Sequence, residues 1–319
     1  MKLLFIGGTG FVGRAMAETA MAHGHEVTLF HRGKTGVDIF PEATHILGDR
    51  ISDLAKIEGE YDVLIDTSGY FPRQIRLAHE ALADKVKRLV FVSTISVYAS
   101  PYPELVDESS PMIELEDQET EIVSGETYGG LKVLCERAIN ELWGTDAWII
   151  RPGIIVGPND HTDRFTHWIA KASKGEPYVG PAGADQPLQF IDARDLAEFT
   201  IKGIEAEENR TVNTIGPFDA ASFGTVLAEL HATFGTKFSA KMVFKPEDNE
   251  EIQLPMVLPS DGSSDAMFKV NVQTCIEMGM FHRSLDETAT DAIKYITERE
   301  TPLKIFIEPK MEQKLLNLS

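Results

Sequence analysis

An α/β fold, with a doubly wound parallel sheet carrying helices on both faces, is predicted by three features of the sequence. The first is the apolar run Lys2–Ile6 (KLLFI), the pattern of a strand buried on both faces, followed at once by a glycine-rich turn. The second is a helical pattern over Phe11–Ala22 that leads into another strand-like run, Glu26–His31 (EVTLFH). The third is that this alternation continues through the first half of the chain, which implies parallel strands joined by right-handed crossovers.

The elements follow in order. Gly24 stands where the first helix should stop. Further strands are predicted at Thr44–Leu47, 63–66, 88–93 and 147–151, with helices at 72–83 and 127–142 between them. After Arg151 the rhythm breaks, as Pro152, Gly153, Gly157, Pro158, Gly175, Pro177, Gly180 and Pro181 punctuate the chain. Short strands at 189–191, 211–213 and 238–243 then mix with helices at 193–205, 222–234 and 285–298. Ser284 and Glu287 have capping-box spacing at the start of the last helix. The expected organisation is a sheet domain at 1–151, then a smaller mixed α/β lobe at 152–319 with some segments returning to the sheet. The acid-rich stretch 104–126 reads as a solvated loop.

Composition excludes several classes. Apolar residues make up 43% and charged residues 25%, as in ordinary globular proteins, and no apolar run has a membrane helix's length. The glycines at 7, 8 and 10 cut the N-terminal apolar run too short for a signal peptide, so a cytoplasmic protein is expected. Cys135 and Cys275 form no CxxC pair and read as two reduced thiols. His161 and His167 have no third ligand at suitable spacing, so no metal is expected. The net charge of −20 argues against nucleic acid as a partner, and no membrane partner is expected either. A small-molecule ligand needs only local positive groups and stays open.

The turn Gly7-Gly8-Thr9-Gly10-Phe11-Val12-Gly13 joins the first strand to the first helix. A pyrophosphate is bound by backbone N–H groups at a helix N-terminus with no side chain in the way. Gly7 permits the tight turn, Gly10 the close approach of phosphate, and Gly13 the packing of helix on strand. In this strand–turn–helix context the motif predicts a Rossmann-type dinucleotide site, with Gly7, Thr9, Gly10, Phe11, Val12 and Gly13 as contacts. At the end of the second strand, where NAD enzymes place an acid, the sequence has His31 and then Arg32. An Arg at that place suits a 2′-phosphate, so NADP(H) is expected in preference to NAD(H).

Tyr128 and Lys132 form YxxxK inside a predicted helix, and residues four apart share a helix face. A cation beside the phenol favours phenolate and makes Tyr128 a usable general acid/base. Of the seven tyrosines it alone has Lys four positions on. The hydroxyls of Ser93, Thr94 and Ser96 lie at the carboxyl end of the fifth strand, the end where ligands bind in open α/β sheets.

GGTGFVG, VSTISVYAS, YGGLKVLCE and RPGIIVGP, in this order and spacing, resemble the extended and atypical short-chain dehydrogenases/reductases of the NAD-dependent epimerase/dehydratase family. The likeness covers residues 1 to 216, including FIDARDLA at 190–197, and thins out beyond. It implies that Thr94 is the catalytic Ser/Thr and that Tyr128 and Lys132 are the catalytic pair, with Lys132 also on the cofactor ribose. It also implies that Asp49 and Arg50 lie at the adenine, Thr67, Ser68 and Gly69 beside the ribose and nicotinamide, and Pro152, Ile154 and Ile155 along the nicotinamide. Relatives often dimerise through helices equivalent to 72–83 and 127–142, which implies a homodimer. Two departures matter. Ile95 and Ser96 follow Thr94 where 4,6-dehydratases carry acids, and Arg32 stands where NAD-bound epimerases carry an acid.

The residues together predict an NAD(P)-dependent reductase or epimerase that moves hydride at a carbon bearing oxygen. A reductase consumes the cofactor, whereas an epimerase returns the hydride to the opposite face. Ser96, Tyr98 and Arg164 are candidate substrate contacts, and the alternative for Arg164 is an ion pair with Asp160 or Asp163. The rival class is a cofactor-binding relative without catalysis, either an NADP-binding regulator or an RNA-binding protein like some plastid relatives. The intact Thr94/Tyr128/Lys132 set argues against the first and the acidic charge against the second.

Overall fold

The computed structural model describes residues 1–216, 221–248 and 252–317. It divides into two compact units: Met1–Gly153 with Ala193–Ile215 and Asn271–Phe281, and Ile154–Asp192 with Gly216–Val270 and His282–Ser319.

The first unit is built on a seven-stranded sheet. Its strands are β1 (Lys2–Ile6), β2 (Glu26–His31), β3 (Thr44–Leu47), β4 (Tyr61–Asp66), β5 (Val86–Val92), β6 (Ala147–Pro152) and β11 (Thr211–Thr214). Their order is β11-β6-β5-β4-β1-β2-β3, every pair parallel. The order reverses direction beside β1, which puts the turn after β1 at the switch point where open α/β sheets bind ligands. Helices α1 (Phe11–Ala22), α2 (Pro72–Leu82), α3 (Tyr128–Leu142) and α5 (Ala193–Glu205) cover the sheet, and α7 (Gln273–Glu277) is a short addition.

Alternation along the strands sorts the core. Leu4, Ile6, Leu64, Leu89, Phe91 and Ile149 pack with Ile75 and Leu82 of α2 and Ile139 of α3. On the other face α1 and α5 lie side by side. Gly203 lets α5 settle on Trp148, since a Cβ there would come within 2.1 Å of the indole. The three tryptophans, 143, 148 and 168, are all core residues.

The second unit holds β7 (Ile154–Val156), α4 (Arg164–Lys174), β8 (Tyr178–Pro181), β9 (Pro187–Leu188), β10 (Phe190–Asp192), β12 (Ala221–Ser222), α6 (Phe223–Thr233), β13 (Ala240–Phe244), α8 (Leu285–Glu298) and α9 (Pro309–Leu316). Three two-stranded sheets, β7 with β10, β8 with β13 and β9 with β12, support a core of Phe165, Trp168, Tyr178, Phe223 and Leu227. α8 begins where the Ser284/Glu287 spacing predicts, and the Ser284 backbone N–H donates to the Glu287 carboxylate at 3.2 Å.

Among the described residues no helix is long and apolar enough to cross a membrane. Most first-unit elements match their predicted bounds to within two residues. The unpredicted elements, β7, β8, β9, β12, α4, α7 and α9, are short or begin at unusual backbone. α4, for instance, starts after Asp163, whose φ is +57°.

Candidate active site

The glycine-rich turn meets the requirements of a dinucleotide phosphate. α1 has Gly10 as its N-cap, without a side-chain capping hydrogen bond, and no acid in its first turn, so that turn brings no negative side chain against its positive dipole end. A Cβ built on Gly10 meets nothing within 4 Å among the described residues, so the approach is open. Gly7 and Gly13 are needed for packing. A Cβ on Gly7, whose φ is +109°, would lie 2.5 Å from Thr67 Oγ1, and one on Gly13 would lie 2.8 Å from the Gly8 nitrogen. Arg14, one residue past Gly13, adds a cation whose buried Nε has no hydrogen-bond partner among the described residues. These features fit a bound nicotinamide dinucleotide.

Thr67 and Ser68 follow β4, and their hydroxyls donate to the Ile6 carbonyl at 3.3 and 3.2 Å, so they border the same turn. Gly69 is buried behind them. Across the turn, Thr9 Oγ1 lies 3.5 Å from Thr35 Oγ1. Arg32 is exposed and makes no ion pair among the described residues. His31 is buried, its Nε2 2.9 Å from His45 Nδ1 while its Nδ1 accepts from the Gly33 N–H. Burial, and then the neighbouring His45, hold His31 below the usual imidazole range, so it is a neutral wall rather than a charge.

Asp49 accepts from the Ile51 N–H at 2.9 Å and is half-buried. Arg50, expected at the adenine, is engaged within the protein. Its guanidinium forms two hydrogen bonds with Asp66, at 2.9 and 2.7 Å, and a third with Ser68 Oγ. Burial alone would raise the Asp66 carboxyl, but the Arg50 charge and hydrogen bonds hold it below the carboxylate range. Arg50 is therefore a clamp at the end of β4, a role that a Gly-Asp-Arg triplet does not announce.

Next to this border sits the Tyr/Lys helix. Lys132 is 3% exposed, and its Nζ donates to the carbonyls of Gly69 at 2.9 Å and Val92 at 2.7 Å. It also lies 4.1 Å from the Phe91 ring centroid, a cation–π contact. Burial pulls its ammonium down to about 8, against the opposing pull of Asp66 and Glu136. Gly129 explains how α3 comes so close to β5, since a Cβ there would lie 2.0 Å from the Ser96 carbonyl oxygen. The YGG start of α3 thus rests on the turn Ile95–Val97 that follows β5. Thr94 begins this turn, 7% exposed, with Oγ1 accepting from the Ser96 N–H at 3.1 Å. Tyr128 is half-buried, its ring 6.3 Å from that of Tyr70. Thr94, Tyr128 and Lys132 are therefore brought to one end of the sheet, beside the glycine turn.

Tyr98 is a correction. It is 2% exposed, and its hydroxyl donates to Asn213 Oδ1 at 2.6 Å and accepts from Arg151 at 2.9 Å, so it is spent inside the protein and cannot meet substrate. Ser96 stays half-buried on the turn. Behind Thr94 lies a polar network that sequence reasoning missed. Arg151 bonds both oxygens of Glu136, at 3.1 and 2.6 Å, and Glu136 accepts from Ser93 Oγ. Glu136 falls four residues after Lys132, and this helix spacing was the available signal.

Pro152 ends β6 in the first unit, whereas Ile154 and Ile155 belong to β7 of the second, where Ile154 packs against the core. Arg164, also in the second unit, donates from Nε to Thr162 Oγ1 at 3.2 Å. Of the two acids considered for it, Asp163 is held by Arg299 at 2.8 Å, whereas Asp160 still feels the Arg164 charge.

Residues 3–216 match the profile of the NAD dependent epimerase/dehydratase family. Among curated proteins, the chain is 26% identical over 339 aligned positions to a UDP-N-acetyl-alpha-D-glucosaminuronate decarboxylase of Bacillus cytotoxicus, covering 94% of this chain and 98% of that one. It is 25% identical over 214 residues to the chloroplast stem-loop binding protein of 41 kDa b of Arabidopsis thaliana, covering 61% of this chain; it spans about half that relative's length, 53%. Among solved structures, the UDP-glucuronic acid 4-epimerase of Bacillus cereus in complex with NAD superposes with a TM-score of 0.69 at 16% identity, covering 93% of this chain and 97% of that one. That likeness is one of fold, a parallel sheet flanked by helices, as described above. With the profile covering two-thirds of the sequence, the chain belongs to the NAD dependent epimerase/dehydratase family, of the short-chain dehydrogenase/reductase type.

Proposed function

We propose that the protein is an NADP(H)-preferring oxidoreductase or epimerase that works at a carbon bearing oxygen on a small molecule. Tyr128 is its acid/base, Lys132 the cation beside it and Thr94 the group that holds the substrate oxygen. The observation that carries this reading is the seating of α3 on the turn after β5, with Gly129 against Ser96 and Lys132 on the Val92 carbonyl. When bound, the nicotinamide supplies the hydride acceptor or donor.

The chain's own residues do the rest. The Tyr128 phenol gives a proton to the substrate oxygen, or its phenolate takes one. Lys132, fixed by two carbonyls, keeps a third N–H and a positive charge to favour the phenolate and to meet a ribose hydroxyl. Thr94 Oγ1 accepts from the Ser96 N–H and so keeps its own proton to donate to the substrate oxygen. The NADP preference is supported by Arg32, exposed and without an ion pair among the described residues, at the end of β2 where an acid would suit NAD. The second unit is assigned to substrate recognition. The decarboxylase and epimerase relatives make nucleotide sugars the first compounds to try, followed by simple carbonyl compounds.

The test is a turnover screen of such compounds with NADPH and NADH, followed by Tyr128→Phe on the best substrate. The variant should bind cofactor like wild type and lose about 10²–10⁴-fold in turnover. Unimpaired turnover would reject Tyr128 as acid/base. Cofactor binding with no turnover across the panel would favour the regulatory alternative.

A further inference from the structure

Far from the glycine turn, the other end of α1 carries a group that the proposed chemistry does not use. His23 caps the C-terminus of α1, Gly24 turns the chain with φ of +80°, and His25 leads into β2. The turn puts both imidazoles on one side, against the last turn of α5. There His23 Nδ1 and His25 Nε2 converge on a single atom, Glu205 Oε1, at 3.1 and 3.0 Å. The ligand atoms of the three residues all lie within 4.8 Å of one another. The side chains are partly sheltered, 23% exposed for His23, 7% for His25 and 37% for Glu205.

We propose that His23, His25 and Glu205 bind a divalent first-row transition ion of the zinc class, with water completing the coordination. Two imidazoles and one carboxylate are a donor set that suits such ions, and bonds of about 2.0–2.2 Å in a tetrahedron put ligand atoms roughly 3.3 Å apart. The contacts on Glu205 are close to that spacing, so an ion can take the place of the bridging protons with small side-chain shifts. A second feature favours a metal over a simple ion pair. The far nitrogen of His23, Nε2, lies 3.2 Å from Glu198 Oε2, one helical stretch back on α5. A carboxylate on the far side of an imidazole fixes its tautomer and turns the other nitrogen's lone pair toward the metal. Glu198 is itself held by Lys202 at 3.0 Å.

Protons compete for the same atoms. The Glu205 and Glu198 hydrogen bonds raise His23 above the usual imidazole range, while burial and the N-terminal ammonium lower His25. That ammonium lies 3.2 Å from His25 Nδ1. The bound ion ties the α1–β2 turn to α5 and has no part in hydride chemistry.

The experiment is calorimetric titration of the full chain with zinc, and with magnesium as a control. One zinc per chain is expected, with no magnesium binding and a higher melting temperature in zinc. Glu205→Gln, which keeps a hydrogen-bond acceptor for both imidazoles, should weaken zinc at least about ten-fold, and Glu198→Gln by a smaller factor. The double variant His23→Ala/His25→Ala should lose both the binding and the thermal shift while keeping wild-type cofactor binding. No zinc binding at micromolar concentration would overturn the proposal. So would one-to-one binding that persists in the double variant, because the ion would then sit on other histidines.

Discussion

At the scale of single residues, charge placed in or out of water decides what each group can do. Lys132 is enclosed, and its ammonium is held by two carbonyls yet lowered to about 8 from an ordinary 10.5. A base lowered on folding is carried protonated by the unfolded chain and neutral by the folded one between those two values. Stability from this group therefore rises with pH from about 8 to 10.5 and is flat below. Lys132→Met should abolish that alkaline rise, read as the difference between the two proteins' unfolding free energies across the window. A parallel pair of curves would show that Lys132 is not desolvated as described. Arg32 is the opposite case, an exposed cation with no protein partner among the described residues. If it meets a 2′-phosphate, Arg32→Ala should cost NADPH about ten-fold or more in affinity and leave NADH nearly unchanged. Equal losses for the two cofactors would assign Arg32 elsewhere.

At the scale of elements, the site depends on how closely α3 can approach the end of β5. Gly129 has no room for a Cβ, with the Ser96 carbonyl oxygen 2.0 Å from where it would stand. Gly129→Ala should lift the start of α3, lower stability by about 1–3 kcal/mol, and cost more turnover than cofactor affinity. Thermal melts and kinetics on the same preparation check this. An alanine variant with wild-type turnover would mean that the seating of α3 does not set the Tyr128–Thr94 geometry. This is also where the sequence was most legible. Buried parallel strands write continuous apolar runs, and turns write glycine, so α1, β2, β3, α5 and α8 have the bounds expected of them. Tertiary partners leave no such mark. The Arg50–Asp66 clamp joins residues sixteen apart, one in the turn after β3 and one on β4, and the Arg151–Glu136–Ser93 network needs β6, α3 and β5 in place before its charges meet. For the same reason Tyr98, in a strand-end hydroxyl cluster, read as a substrate group although its hydroxyl faces Asn213 and Arg151.

At the scale of the whole molecule, the first unit is discontinuous in sequence. β6 gains its outer neighbour only from β11, and Trp148 on β6 is covered by α5, so residues 193–215 complete a sheet begun by residues 2–152. A chain cut after Gly153 would leave β6 with an unpaired edge and an uncovered indole face. It should aggregate or melt well below the full chain rather than behave as an autonomous dinucleotide-binding domain. A soluble, cooperatively folding 1–153 fragment that binds cofactor would contradict this.

The same discontinuity has a consequence during synthesis. A ribosome releases β1 through β6 long before α5 and β11, and at ordinary elongation rates the interval lasts seconds. Throughout it the nascent sheet shows an open edge to its neighbours on the polysome. Slowing translation between codons 153 and 193 would lengthen that exposure, and chaperone demand in the cell would track the length of the pause.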